Sequence, residues 1–411
     1  MAYSMPGGHE AEVPIRVRLC GLSDLRLLVT TSTFPAFEGD GTPAFVSDLA
    51  RYQARHFETL VVTPRVPNAP AMEVQGERLR IERFPYFPRR WERIASGAII
   101  ENVRAARANM LQVPALLGAE ALAVRRAVRS FRPDVVHAYW IVPQGLVAVA
   151  AARGIPLVLT TLGGDIYALR GRLWDPVHRQ VLRRAAAVTT MNREMQARLL
   201  QLGAAPERTR VLVPGADVKA IAAVGAGVRP VPGRVLVAGR LVEKKGIHVL
   251  LEAVRELHAD SWSLDVVGDG PWRGRLEAAA AGLPVRFLGQ VGRQEVGRAL
   301  HEAEVVVIPS VPASSGDQDG APVVMLEAMA AGRGIVASRL PGIDEVLEDG
   351  GSGLLVSPGD ARELARAIDR LLADEALRAR LGEAARLRAE EGSVESRGAR
   401  YVEIIRAAAG R

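Results

Sequence analysis

Short apolar runs, many of them β-branched, alternate along the chain with longer segments of helical periodicity. In the first half the runs are Leu25–Thr30, Thr59–Thr63, Val135–Ala138, Leu157–Thr161, Ala187–Thr190 and Val211–Val213. Each is apolar at odd and even positions alike, the pattern of a parallel strand covered by helices on both faces. Helical windows such as Ala44–His56 and Arg193–Leu202 fall between them. The rhythm restarts at Arg234–Ala238 and continues through Leu264–Val267, Val285–Leu288, Glu304–Ile308, Ile335–Ala337 and Leu354–Val356. Two more helical windows close the chain: Ala361–Glu390, broken near Leu372, and Val394–Ala409. Two such α/β units predict two Rossmann-like, doubly wound parallel sheets facing each other across a cleft, with ligands at the carboxyl ends of the strands. The boundaries follow. Residues 1–24 lack sustained periodicity and read as a loose extension. Residues 25–215 form the first domain, the Gly/Ala/Val/Pro-rich 216–233 a linker, 234–392 the second domain, and 393–411 a closing helix.

Composition narrows the class. Of 411 residues, 48% are hydrophobic and 24% charged, which excludes a disordered or coiled-coil chain and supplies a sizeable core. Cys20 is the single cysteine, so neither a disulfide framework nor a cysteine-built metal site is available. The most apolar stretch, Ile141–Leu162, is interrupted by Pro143, Gln144, Arg153 and Pro156, too often for a membrane span. The first 25 residues lack a basic start followed by an apolar run, and the expectation is a cytoplasmic protein.

The net charge of +7 is unevenly spread, with 28 basic against 18 acidic residues up to position 215 and 25 against 28 beyond it. The segment Arg89–Arg132 alone holds nine arginines and three glutamates. A basic first half fits an acidic partner, such as an anionic membrane met peripherally or an acidic acceptor. Only three of the 53 basic residues are lysines (Lys219, Lys244 and Lys245), so a compositional bias toward arginine explains the same numbers, and both readings stand. Aromatics at 5% leave little for a base-stacking platform, and no nucleic-acid partner is expected.

Three segments of the second half carry candidate chemistry. In Val237-Ala-Gly-Arg-Leu-Val-Glu-Lys-Lys-Gly246, Gly239 turns the backbone after a strand while Arg240 and Lys245 bring two cations to the strand end, suited to gripping phosphate. In Gly268-Asp-Gly-Pro271 the spacing is not that of a dinucleotide fingerprint and reads as a tight strand-to-helix turn. In the third, a polar loop after Ile308 leads to a helix starting near Pro322–Val323, so the N–H groups from Gly320 through Ala321 and Pro322 to Val323 form an anion site at a helix N-terminus. Asp319 precedes that site and Glu327 lies about one turn into the helix. A carboxylate beside a phosphate site needs a purpose, and accepting from adjacent sugar hydroxyls is one. A capping aspartate and a solvated glutamate are the plain alternative.

In this order the segments resemble the retaining glycosyltransferases of family 4 (glycosyl transferases group 1), which have the GT-B fold. Gly239, Arg240, Lys245 and Gly246 match the family's G-R-x-x-x-x-K-G motif, Gly268, Gly270 and Pro271 its G-x-G-P turn, and Asp319 and Glu327 its E-x7-E. The run from Gly342 to Val356 is similar to its G-x-x-E-x-V-x-D-G-x-x-G-x-L-V pattern. The resemblance implies that Arg240 and Lys245 neutralise a donor diphosphate and that Glu327 holds ribose hydroxyls. It assigns the transferred sugar and distal phosphate to Asp319 and the backbone from Gly320 to Val323, and the base to the turn at Gln290–Val291. The closing helix would cross back onto the first domain. On the acceptor side it points to Gly41 in the first glycine-containing loop, to His137, and to Gly163 and Asp165 in Thr160-Thr-Leu-Gly-Gly-Asp165.

Two departures stand out. Gly163 occupies the place of a histidine common in relatives, and Asp319 is one methylene shorter than the usual glutamate. The expected reaction is sugar transfer from a nucleoside diphosphate sugar to a sugar or lipid-linked acceptor in cell-envelope or exopolysaccharide synthesis, with no cofactor and no essential metal. Three rivals accompany it: a metal held by Asp317-Gln-Asp319, an NAD-dependent sugar-nucleotide oxidoreductase or epimerase, and a non-catalytic nucleotide-sugar-binding subunit.

Overall fold

The structure, a computed structural model, describes residues 25–37, 40, 42–95, 99, 102–103, 106–259 and 261–410. Gly41 and the segment 1–24 lie outside the described residues.

The first sheet holds eight strands: β1 (Arg26–Thr30), β2 (Glu58–Pro64), β3 (Met72–Gln75), β4 (Leu79–Phe84), β5 (Val135–Tyr139), β6 (Leu157–Thr160), β7 (Ala185–Thr190) and β8 (Thr209–Val211), in the order β3-β4-β2-β1-β5-β6-β7-β8. All neighbours are parallel except β3 and β4, an edge hairpin that the sequence reading missed. Strand β4 buries only alternate residues over most of its length and carries Arg80 and Glu82, so it lacks the two-sided apolar signature of a covered strand. The second sheet holds β9 (Arg234–Ala238), β10 (Ser263–Val267), β11 (Val285–Gly289), β12 (Val305–Ile308), β13 (Gly334–Ser338) and β14 (Leu354–Val356), in the order β11-β10-β9-β12-β13-β14 and fully parallel. In both sheets the order reverses beside the first strand, between β1 and β5 and between β9 and β12. Such a switch point leaves a crevice at the carboxyl ends of the strands.

Two-sided burial is visible residue by residue. Leu28, Leu60 and Val136 pack under one face of the first sheet, and Leu27, Val29, Val61 and Val135 under the other. In the second sheet Val235, Val237 and Val307 face one layer, and Leu236, Val306 and Ile308 the opposite one. Each fully buried aliphatic side chain of this kind contributes about 1.5–3 kcal/mol.

The segment read as a linker is not one throughout. Asp217 caps a helix, Val218–Val224, by accepting from the Ala220 N–H at 2.9 Å, and Val218 and Ile221 join the second domain's core. Three apolar residues among alanines gave too faint a periodicity to be read. The chain crosses between domains twice, and the crossings lie side by side. The Ala216 N–H donates to the Gly392 carbonyl at 3.1 Å and the Val394 N–H to the Ala216 carbonyl at 2.8 Å. The long helical window is two helices, Ala361–Ala373 and Glu375–Ala389, separated by the capping Asp374. Ser393 caps the last helix, Val394–Ala408, which lies on the first domain with Tyr401 fully buried in its core.

Candidate active site

The cleft floor of the second domain is built at its switch point. After β9 the chain turns through Gly239 into a 3-10 turn, Glu243–Lys245, which Gly246 ends with a left-handed φ of +62°. A Cβ on Gly246 would overlap the Pro309 carbonyl, so this turn packs backbone to backbone against the end of β12. That approach delivers the lysines to the loop after β12. The Lys245 Nζ donates to both oxygens of Asp319 at 3.0 and 2.9 Å, and the Ser310 hydroxyl donates to Asp319 Oδ2 at 2.7 Å. The Lys244 Nζ donates to Asp317 Oδ2 at 2.8 Å. Burial alone would raise the Asp319 pKa, but the charges of Lys245 and Lys244 and the Ser310 hydrogen bond outweigh it and hold the carboxyl below its ordinary range. Each carboxylate of the Asp317-Gln318-Asp319 triplet is therefore matched to a lysine. Among the described residues, no group of three or more His, Cys, Asp or Glu is arranged to hold a metal ion.

Arg240 is half-buried and reaches the other domain, where its Nη2 donates to Asn102 Oδ1 at 3.2 Å. The helix Val323–Ala330 begins after the buried Gly320, Ala321 and Pro322 without a side-chain cap, as an anion-binding end requires. The Glu327 carboxylate, one turn in, makes no hydrogen bond among the described residues, and burial pushes its pKa up to about 7 despite the nearby charge of Arg293. Gln290 and Val291 follow β11. The Gln290 amide donates to Asp40 Oδ1 at 3.3 Å, and Val291 packs on the core.

The acceptor-side candidates separate. Gly163 does face the loop after β12: it has φ +114°, and a Cβ there would sit 3.5 Å from the Gln318 carbonyl oxygen and 3.8 Å from the Gly320 nitrogen. Asp165 does not offer its carboxylate to a ligand. It is buried and accepts from the backbone N–H groups of Ile141, Leu162 and Gly163 at 2.9, 3.3 and 3.1 Å, fixing the turns after β5 and β6. Burial lifts its pKa to about 6 against those hydrogen bonds. His137 is not a cleft group either. It lies fully buried in β5, stacked 5.5 Å from Tyr401 of the closing helix. The Gln53 amide donates to its Nδ1 at 3.2 Å, and its Nε2–H donates to the Thr160 hydroxyl at 2.8 Å. Thr160, Thr189 and Tyr401 continue the chain of hydrogen bonds to the Leu212 carbonyl. Burial lowers the His137 pKa to about 3, so it is a neutral core residue that helps tie down the closing helix.

Several site-shaping residues had no signal in the sequence. Asn192 caps the helix Arg193–Gln201 by accepting from the Met195 N–H, and its amide donates to the carbonyls of Gly320 and Pro341, both at 3.1 Å. Its capping role is legible locally; its grip on the Gly320 and Pro341 carbonyls is not. Asp48 of the first domain receives both terminal nitrogens of Arg293 at 2.9 and 2.8 Å, a pair separated by 245 positions.

Family models cover both domains: one described as glycosyl transferase 4-like domain matches residues 40–215, and one described as glycosyl transferases group 1 matches residues 232–374. D-inositol 3-phosphate glycosyltransferase of Nocardioides sp. is 31% identical over 318 residues, 67% of each chain. This chain belongs to the group 1 glycosyl transferases. The putative colanic acid biosynthesis glycosyltransferase WcaL of Salmonella typhimurium is 32% identical to this glycosyl transferase over 198 residues, 47% of this chain, and the match spans about half of WcaL (49%). The crystal structure of Anabaena Alr3699/HepE in complex with UDP-glucose superposes with a TM-score of 0.66 at 19% identity, covering 93% of this chain and all of that one, and such neighbours identify the fold as GT-B. In this group 1 glycosyl transferase Arg240, Lys245, Asp319 and Glu327 fall within the second matched region, and Gly163 and Asp165 within the first.

Proposed function

We propose that this protein transfers a sugar from a nucleoside diphosphate sugar to a hydroxyl acceptor, with retention and without a metal ion, in the synthesis of a cell-envelope or extracellular polysaccharide or glycolipid. The observation that carries the reading is the Lys245–Asp319 pair, which sets the turn after β9, also the bearer of Arg240, against the loop that leads to the uncapped start of Val323–Ala330, with Glu327 a turn further on. Two cations and a helix N-terminus suit a diphosphate, and an unpaired carboxylate suits ribose hydroxyls. The HepE complex with UDP-glucose and the name of WcaL support the donor class and the pathway.

The acceptor hydroxyl attacks the anomeric carbon on the face from which the diphosphate departs. The bond from that carbon to the phosphate oxygen breaks, the new glycosidic bond forms, and the acceptor proton passes to the departing phosphate. Arg240, Lys245 and the helix N-terminus stabilise the charge that develops there. Asp319 keeps Lys245 in place for this step, so the sugar contacts fall to the backbone around Gly320. The lipid-linked acceptor and a peripheral membrane contact are supported by Trp91, Met110 and Leu111, which are 48%, 61% and 75% exposed, with Arg90 4.5 Å over the Trp91 ring. Binding to anionic vesicles that weakens in Trp91→Ala is the expected result, and no vesicle binding at low salt refutes that part.

The central test is thermal stabilisation by UDP, GDP, ADP and NAD, each with and without chelator. A ligand at 100 times its Kd stabilises by about 2.7 kcal/mol. A shift with one nucleotide that survives chelator supports the reading. A shift with NAD alone, or one that needs metal, refutes it.

A further inference from the structure

Arg293 opens the helix Arg293–Glu302, just after the turn at Gln290–Val291, and its charge bears on Glu327. Its two terminal nitrogens are nevertheless committed elsewhere, to the two oxygens of Asp48 on the first domain's helix Phe45–Ala54. Asp48 is 6% exposed, and its partner 28% exposed at the side chain, so this is a bidentate pair largely out of water. Asp217 stands 3.9 Å from the same guanidinium, and Arg51 lies 3.3 Å from Asp48. Among the described residues the Glu327 carboxylate forms neither an ion pair nor a hydrogen bond. A carboxylate beside an arginine ordinarily takes it, because a fork of two charge-assisted hydrogen bonds is stronger than bonds to neutral hydroxyls. Here Asp48 has taken the fork first.

We infer that Asp48 is a positioning residue for the donor's ribose: by occupying Arg293 from across the cleft, it keeps the Glu327 carboxylate unpaired and open to the two ribose hydroxyls. The inference rests on the assignment of Glu327 to the ribose. It makes nucleotide affinity depend on a first-domain residue that contacts no part of the nucleotide. Neither Asp48 nor Arg293 belongs to a motif of the sequence, and the pair exists only where the two domains meet.

The groups facing Glu327 and its neighbour are Arg293, Asp48, Asp217 and Arg51. Burial raises the Glu327 pKa to about 7, Arg293 lowers it, and Asp48 raises it. Removing the Asp48 charge acts twice in one direction, by deleting a neighbouring anion and by releasing the arginine. Glu327 then ionises at lower pH and pairs with Arg293 instead of the sugar.

The test uses calorimetric titration with whichever of UDP, GDP or ADP binds the wild-type chain, so that no acceptor is needed. Asp48→Asn is expected to weaken nucleotide binding about tenfold, the loss of one good charge-assisted contact. Adding Arg293→Met removes the competitor and is expected to restore affinity to within about threefold of wild type. A pair that merely glued the domains together would not be rescued by deleting its second half. The acid limb of the binding profile should move to lower pH in Asp48→Asn and to higher pH than wild type in the double variant, because the Arg293 charge that lowers the Glu327 pKa outweighs the Asp48 charge that raises it.

Unchanged affinity in Asp48→Asn, or equal weakening in the single and double variants, overturns the inference. A control separates the underlying assignment: Glu327→Gln should lose the preference for the ribose form over its 2′,3′-dideoxy analogue. If Glu327→Gln keeps that preference, the ribose assignment is what fails, and the role of Asp48 falls with it.

Discussion

Replacing Lys245 with methionine isolates the ion pair at the centre of the site. Methionine keeps the aliphatic stem and deletes the ammonium group that donates to both oxygens of Asp319 at 3.0 and 2.9 Å. Asp319 is 7% exposed, and of its hydrogen bonds only the one from Ser310 remains, because Lys244 is engaged by Asp317. Removing one partner of a buried pair costs about 3–5 kcal/mol, since the other charge is left without compensation. For a domain of this size about 1 kcal/mol corresponds to roughly 2–4 °C, so the second-domain transition should fall by roughly 6–20 °C.

The sign of the pH dependence distinguishes this cause from a simple loss of packing. In the wild type the folded pKa of Asp319 is depressed, so its contribution is present above the unfolded value of 3.8 and lost only as pH falls below it. In Lys245→Met burial is opposed only by the Lys244 charge and the Ser310 hydrogen bond, and the folded pKa is expected to rise above 3.8. The penalty is then small in acid and grows as pH climbs through the raised value. Calorimetric melting of both proteins at pH 5 and pH 8 should show the larger gap at pH 8. Adding Asp319→Asn should recover most of the loss at pH 8 without recovering turnover. Equal stability of Lys245→Met and wild type at pH 8, a gap that does not widen with pH, or a double variant no more stable than the single would each refute the reasoning.

Arg240→Ala should slow sugar transfer about 10²-fold or more, the scale of losing a preorganised charge at a developing anion, and near-normal rates would remove Arg240 from the site. Turnover should persist in excess chelator; abolition that added magnesium or manganese reverses would reinstate a metal. Gly246→Ala should cost about 1–3 kcal/mol or more through its left-handed φ and the overlap with Pro309, and should raise the donor KM because Lys245 shifts with the turn; thermal melting and donor titration read both. His137, neutral with a pKa of about 3 when folded, takes up a proton on unfolding, so stability declines as pH falls from 6.5 toward 3. His137→Gln should flatten that acid limb in denaturant titrations, although His56, His178, His248 and His301, also lowered, keep part of it.

Much of the fold was legible because parallel strands covered on both faces must be apolar at every position. Runs such as Val305–Ile308 and Leu157–Thr160 announce themselves without context. The cationic turn after β9 was legible for a related reason. Gly239, Arg240, Lys245 and Gly246 lie within eight positions, and local backbone geometry alone brings them to one strand end. The edge hairpin β3–β4 escaped because half its residues meet water, and the helix Val218–Val224 because its apolar stripe is only a few residues long.

The sequence by itself determined the strands and helices of two Rossmann-like units, the turn that carries Arg240 and Lys245, and the helix start after Pro322. These depend on interactions between near neighbours. Only the tertiary structure decided what each charged group does. Asp165 and His137 carry the right chemistry in the right strand ends, yet one is consumed by three backbone N–H groups and the other points into the core beneath Tyr401. Asp319 reads from the sequence as a sugar ligand, and the structure shows that its oxygens accept from Lys245 and Ser310. Asn192 and the Asp48–Arg293 pair have no sequence signature for their roles, because a contact across two domains is set by how the sheets face each other and by which side-chain atoms are already satisfied.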